Sequence, residues 1–206
     1  MYNKYFKHQK GITGLETAII LIAFVVVAAV FAYTVLSAGL FSTQKAQEAV
    51  YAGLTEARST IEMKGAVVAT AGTPGATGTI QMVTFTVSNV LGGESVDFTA
   101  PTGGAAGLAT GNAHKVVINY LDQSQEVNNL YWTLTKVGNT DDDSLLEAGE
   151  KFQITVGAVG NGLVEALEPD LSVNDTFSLV VLTPAGAVLT IERTTPAFID
   201  IISNLR

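Results

Sequence analysis

Cysteine is absent from the 206 residues, and tryptophan occurs once. Disulfides, thiolate metal sites and thiol catalysis are therefore excluded. A form of the chain outside the cell would have to gain robustness elsewhere, and oligomerisation is one source. Positive charge is scarce: 11 Lys and Arg stand against 19 Asp and Glu, a net charge of -8. Nucleic-acid phosphates demand Lys and Arg, so no nucleic-acid partner is expected. The two histidines, His8 and His114, are far apart, and a lone histidine is far more often a surface residue than a catalytic base. No Gly-x-Ser-x-Gly elbow occurs, and Gly72–Gly78 is not followed by the Gly-Lys-Ser/Thr of a phosphate loop. No enzymatic role is expected.

What charge there is lies unevenly. Residues 1–11 hold Lys4, Lys7 and Lys10 and no acid, whereas Thr17–Gln44 carries no charge at all. This stretch of 28 residues is apolar, rich in helix formers and free of proline. As a helix it spans roughly 42 Å at ~1.5 Å per residue, more than the ~30 Å hydrocarbon core of a bilayer. Beyond Lys45 the pattern turns amphipathic, with Ala46, Ala49, Val50, Gly53, Leu54, Ala57 and Ile61 at helical spacing. One helix is therefore expected over residues 12–64, with Gly65 as its stop signal.

The remainder, 65–206, reads differently. The glycine-rich segment from Gly65 to Thr79 is expected to be a linker or loop. After it, apolar residues recur with a period of two: Val83–Val87, Phe152–Val159 and Phe177–Val181. His114–Leu121, Leu130–Val137 and Ala187–Glu192 add further strands, the last entered through a turn at Thr183–Gly186. Short strands without intervening helices indicate a β-sandwich or barrel-like domain. The fold class expected is α+β, a long N-terminal hydrophobic helix followed by a β-rich domain.

The N-terminus does not fit a secretory signal peptide, whose apolar region is 7–15 residues long and ends in a small-residue cleavage site. A plain signal anchor, basic end inside and β-domain outside, fits the charge distribution. Two details point further. Gly11 stands between the basic segment and the apolar run, and Glu16 is the fifth residue counted from Ile12. A carboxylate in the bilayer is costly, about 2–3 kcal/mol on insertion scales, and needs a partner. Cleavage between Gly11 and Ile12 would supply one, a free α-amino group on the same chain or a neighbour. The helix macrodipole also favours a negative charge near its N-terminus.

The segment from Lys10 to Phe41, "KGITGLETAIILIAFVVVAAVFAYTVLSAGLF", resembles the N-terminus of archaellins, the archaeal flagellins, which share a cleaved leader with type IV pilins. The ending "ERTTPAFIDIISNLR" is also similar to the close of that family. The resemblance implies a subunit of the archaellum, the rotating filament of archaeal motility. It implies residues 1–11 as a leader removed by a prepilin-type peptidase, Gly11 preceding the cut and Ile12 as mature N-terminus. Residues 12–64 would form the filament core and 65–206 the outer domain. The implied partners are further copies of the chain, other archaellins, the peptidase and the archaellum assembly platform. The precursor would lie in the cytoplasmic membrane and the product in an extracellular filament. An adhesive pilus subunit is the neighbouring reading; an unprocessed anchor displaying a β-domain that binds a surface partner is the more distant one.

A helix apolar on all sides must be surrounded by apolar material, lipid before assembly and other copies after it. Ala28 and Ala32 are four residues apart and permit close approach, with Phe24 and Phe31 as bulky partners, although membrane helices in general have such composition. Two further motifs stand in the β-region. Asn139, Asp141, Asp143, Glu147 and Glu150 fall at positions 1, 3, 5, 9 and 12 of a twelve-residue segment, the oxygen-ligand spacing of a loop for Ca2+ or another divalent cation. Ser144 replaces the glycine of such loops and the flanks read as strands, so an acidic solvated turn is the competing reading. The Asn174-Asp175-Thr176 sequon is a glycosylation candidate at Asn174, and archaellins commonly carry glycans.

Overall fold

A computed structural model of the chain describes residues 10–58, 61–90, 93–103, 106–158, 160 and 162–205. The chain divides into two units at Gly53. The first ends at Ala52 and holds most of helix α1, Lys10–Arg58. The 49 residues of α1 give a rod of about 74 Å at ~1.5 Å per residue. Between Lys10 and Lys45 the only ionisable carboxylate is Glu16, and no proline interrupts the ladder.

The second unit holds twelve strands: β1 (Ile61–Met63), β2 (Val67–Thr73), β3 (Thr79–Asn89), β4 (Val96–Asp97), β5 (Val117–Leu121), β6 (Glu126–Val127), β7 (Trp132–Val137), β8 (Leu145–Leu146), β9 (Lys151–Val156), β10 (Thr176–Leu182), β11 (Val188–Thr194) and β12 (Ile202–Leu205). A single helical turn, α2 (Leu163–Ala166), lies between β9 and β10. The strands form a six-stranded sheet in the order β12-β2-β3-β9-β7 with β1 also on β3, a four-stranded sheet β11-β10-β5-β6, and the pair β4-β8. All named pairings are antiparallel.

The structure departs from the sequence pattern in two places. The helix expected over residues 12–64 is shorter at its end, since Ile61 and Glu62 belong to β1. Ile61 lies opposite Asn89 and is buried. Its apolar side chain matches the helical period and the sheet core equally well, and burial against β3 decides between them. Gly65 does take a left-handed conformation, φ +86°, but in the turn from β1 to β2 rather than at a helix end. The glycine-rich segment expected as a linker contains β2, with Val67 and Ala69 fully buried. Small residues are poor strand formers, and the open edge of the eleven-residue β3 supplies the hydrogen-bond partners that pull them in. By contrast β3, β9 and β10 fall on the period-two runs, and β5, β7 and β11 on the further strands expected. The turn at Thr183–Gly186 closes with Gly186 N–H donating to Thr183 O at 3.0 Å.

One apolar cluster joins the inner faces of the two larger sheets. Val83, Phe85 and Val87 of β3 with Phe152, Ile154 and Val156 of β9 supply one side; Ile118, Tyr120, Phe177, Leu179 and Val181 supply the other. Phe98 bridges two rings edge-on, Trp132 at 6.1 Å and Phe152 at 6.0 Å, while Tyr120 stacks on Phe177 at 5.8 Å. This is the sandwich arrangement that alternating strands require, apolar side chains in and polar ones out.

Asp122 organises the turn from β5 to β6. Its Oδ1 accepts from the N–H and hydroxyl of Ser124 and from the N–H of Gln125, and its Oδ2 accepts from the Tyr120 hydroxyl at 2.8 Å. Burial alone would raise this carboxyl's pKa, but the hydrogen bonds outweigh it and hold the value at about 2. Burial, followed by the bond to Asp122 and the charges of Asp122 and Asp175, pushes the Tyr120 phenol well above its usual 10. A carboxyl depressed from about 3.9 in the unfolded chain stabilises the fold above that pH, and this contribution is lost as pH falls towards 2. A phenol raised above its unfolded value contributes stability below pH ~10 and loses it as pH climbs further. Asp122→Asn is therefore expected to flatten the acid limb. Thermal melts of the variant should change less between pH 5 and 2 than those of the parent, and parallel curves would refute the assignment.

Candidate assembly site

Helix α1 presents a long apolar surface. From Gly14 to Leu54 every residue is exposed, including Phe24 at 74% and Phe31 at 69%. This segment of 41 residues has a mean hydropathy of 2.9 in its most apolar window, and it is the one helix among the described residues long and apolar enough to cross a membrane. Ala28 and Ala32 stand about one turn apart, Ala28 between the two phenylalanines and Ala32 next to Phe31. Gly11 and Ile12 fall in the first turn of α1. The rest of the expected leader, residues 1–9 with His8, lies outside the described residues.

The helix also disposes of its polar side chains in a way suited to apolar surroundings. Thr17, Thr34 and Thr43 turn their hydroxyls onto the carbonyls of Gly14, Phe31 and Leu40, at 3.0, 2.8 and 2.9 Å. These three hydroxyl donors, which lipid or a packed core would leave unpaired, are satisfied inside the helix. The first ion pair, Lys45 Nζ to Glu48 Oε2 at 2.6 Å, comes only after the uncharged run ends. It is exposed and worth about 0–1 kcal/mol, so it does little to hold the helix together. Glu16 is exposed on the helix near its N-terminal end.

The segment Asn139–Glu150 does not form an oxygen cage. Asp141 Oδ1 accepts from Asp143 N–H and Asp143 Oδ1 from Leu145 N–H, at 3.0 and 2.8 Å. Glu150, 9% exposed, takes the N–H of Asp141 on Oε1 and that of Glu147 on Oε2, at 3.1 and 3.0 Å. Glu147 and Asn139 are exposed. No group of three or more His, Asp or Glu side chains among the described residues is placed to hold a metal. The segment of the expected cation loop connects β7 to β9 through β8, and its carboxylates accept from its own backbone amides. The spacing of the two motifs is alike because both need acceptors on alternate residues of a tight loop.

Asn174 lies in an exposed turn before β10 with φ 60°, and Asp175 beside it accepts from both the N–H and hydroxyl of Ser172. The sequon is thereby presented to solvent. His114 pairs with Asn129 at 3.0 Å. Since the Asn129 amide nitrogen donates to Ala109 O, its oxygen accepts and His114 Nε2 is the donor, a loop clamp rather than a base. Sequence reasoning passed over three exposed apolar residues near the C-terminus, Phe198, Ile201 and Ile202. Their composition matches any strand, and only their exposure sets them apart.

A family model described as archaeal-type flagellin matches residues 11–193. Probable flagellin 1 of Archaeoglobus fulgidus is 37% identical over 204 residues, which cover 96% of this chain and 95% of that one. Probable flagellin 1 of Aeropyrum pernix is 32% identical over 217 residues, covering 93% and 94%. Among solved structures, the archaeal flagellum of Methanospirillum hungatei strain JF1 superposes with a TM-score of 0.61 at 27% identity, over 91% of this chain and 99% of that one. Archaeal flagellin FlaB1 from Methanocaldococcus jannaschii shares the fold, with a TM-score of 0.53 at 11% identity over 71% and 96% of the two chains.

Proposed function

This chain belongs to the archaeal-type flagellin family, and from that premise we propose how it is made and assembled. It is a structural subunit of the archaeal flagellum filament. The observation that carries the assembly reading is the fully exposed apolar length of α1. Lipid surrounds it in the membrane precursor, and the helices of other copies surround it in the filament. Because both surroundings are apolar, little transfer energy changes hands and close packing decides the exchange. Ala28 and Ala32 then let backbones approach while Phe24 and Phe31 fill the spaces beside them.

A prepilin-type peptidase removes residues 1–11 on the cytoplasmic side, exposing the α-amino group of Ile12. The family match beginning at Gly11 supports this boundary. Glu16 neutralises that ammonium within the chain or in a neighbour. The assembly platform passes the processed subunit into an extracellular filament, which other archaellins can join, and Asn174 carries a glycan. The role is mechanical, the helices transmitting torsion while torque is generated elsewhere.

Mass spectrometry and N-terminal sequencing of protein sheared from intact cells test the reading. An N-terminus at Ile12 in material that pellets as thin filaments is expected, with added mass on the Asn174 peptide. A full-length chain retained in membranes would instead favour an unprocessed anchor. Cleaved, polymeric material from cells that swim normally without it would favour an adhesive pilus. Glu16→Ala should leave cleavage largely intact and lower filament yield several-fold, read by immunoblot of the sheared fraction. Undiminished yield would show that the carboxylate is dispensable.

A further inference from the structure

The β-domain carries an apolar patch and an apolar hollow at opposite ends of one strand. The patch is Phe198, Ile201 and Ile202, respectively 55%, 71% and 67% exposed. Three large apolar side chains in one short segment are unusual on a surface facing water, and these are rigidly held. Gly75 N–H donates to Ile199 O and Ile199 N–H to Gly75 O, at 2.8 and 3.0 Å, while Ala71 N–H donates to Ile201 O at 3.1 Å. Ile199 is fully buried beneath them. The patch is thus pre-organised, which lowers the entropy lost on binding.

The patch adjoins the start of β3, where Thr79 pairs with Thr73. At the far end of the same strand, the Asn89 amide donates to the carbonyls of Glu94 and Leu146 and ties down the β4–β8 pair. There Val96, Leu145, Pro184 and Ala185 line a hollow of about 400 Å³. Ile202 lies opposite Thr70, which pairs with Met82, so the length of β3 from Met82 to Asn89 separates patch and hollow by roughly 23 Å at ~3.3 Å per residue. They cannot cover each other within one copy. Patch on hollow between copies is a heterologous contact, which repeats along a filament without closing.

Charge restricts where two such domains meet. Between Ile61 and Leu205 there are 16 acidic and 5 basic side chains, so copies repel over most of their surface. The hollow has one of the five bases, Lys115, at its rim, and the patch has one exposed acid, Asp200, between Ile199 and Ile201. Of the two acids at the hollow, Asp97 is already engaged by the N–H and hydroxyl of Thr99, and Glu94 is exposed to water.

We infer that, in the filament, the Phe198–Ile202 patch of one copy seats in the Val96–Leu145–Pro184–Ala185 hollow of a second copy of this chain, with Asp200 facing Lys115. The inference rests on the filament reading and adds a second contact to the one made by α1.

The absence of cysteine makes the test direct. Ile201→Cys and Ala185→Cys are introduced together in the full chain, and sheared filaments are oxidised and run without reductant. A ladder of cross-linked multimers is expected from the pair and not from either single variant. A displaced pair, Ile201→Cys with Thr190→Cys on exposed β11, should give none. Filaments of the first pair that run as monomers overturn the contact. So does a ladder formed instead between Ile201→Cys and Val50→Cys, which would place the patch on a neighbour's helix. If the first pair does not assemble, Phe198→Glu decides. Processed, protease-resistant subunits that no longer yield shear-resistant filaments support the contact; unchanged filament yield and shear resistance overturn it. Failure of the filament reading itself would be seen separately, as no filaments from the unsubstituted chain.

Discussion

Ala28→Asp is expected to abolish filaments. Ala28 sits near the middle of the uncharged run from Thr17 to Gln44 and is exposed on α1. In the proposed membrane precursor a carboxylate there would meet hydrocarbon, at a cost of about 2.5–3.5 kcal/mol, or roughly a hundredfold in the insertion equilibrium. In the proposed helix-packed core it would meet the same penalty again, since the run holds no base to pair with it. Glu16 differs because it lies near the helix start, where the proposed cleavage would place a new α-amino group at Ile12. Gln47→Asp is the matched control. It adds the same charge beyond Gln44, on the part of the helix that already carries Lys45 and Glu48 in contact, and near-normal yield is expected. Immunoblots of sheared and membrane fractions compare the two. Equal yields from both variants would mean that the central run does not lie in apolar surroundings after assembly.

Trp132→Ala is expected to unfold the β-domain or leave it readily digested by protease. Trp132 is fully buried at the start of β7, packed edge-on against Phe98, which packs in turn on Phe152. Truncating such a side chain costs about 3–5 kcal/mol through lost burial and the cavity left behind, and aromatic pairing adds about 0.5–1.5 kcal/mol. Against a total stability of about 5–15 kcal/mol, that is a large share. Trp132→Phe should be much milder. It keeps a ring beside Phe98 and removes an indole N–H that has no hydrogen-bond partner within the described residues, so part of the volume loss is offset. Melting temperatures of the detergent-solubilised chain give the comparison. Equal losses in the two variants would show that the ring contact contributes little and that volume alone matters.

The two substitutions probe parts of the chain that were unequally legible in its sequence. An uncharged run of this length needs no tertiary partner to be recognised, because its length and composition already state the surroundings it requires. The basic residues before Gly11 and the isolated Glu16 are signals of the same local kind. The period-two runs that became β3, β9 and β10 were visible for a related reason: each places one face in a core, and alternation records that on the strand itself.

What the tertiary structure alone decided is where local pattern admits two answers. Ile61 suited the end of an amphipathic helix, yet it lies in β1 opposite Asn89. The glycine-rich Val67–Thr73 suited a linker, yet β3 and β12 take it in as a strand between them. In both cases the deciding energy is hydrogen bonding and burial against residues distant in the chain, which no local pattern contains. The acids of Asn139–Glu150 show the same limit. Their spacing fits an ion or a loop's own amides equally well, and direction chooses the amides. Phe198 and Ala185 are near in sequence, but β3 sets their surfaces at opposite ends of the domain. The sequence by itself determined that this chain has an apolar helix requiring company and a β-sandwich to accompany it. Strand pairing decided which surfaces that sandwich presents, because pairing joins residues whose separation along the chain carries no record of their contact.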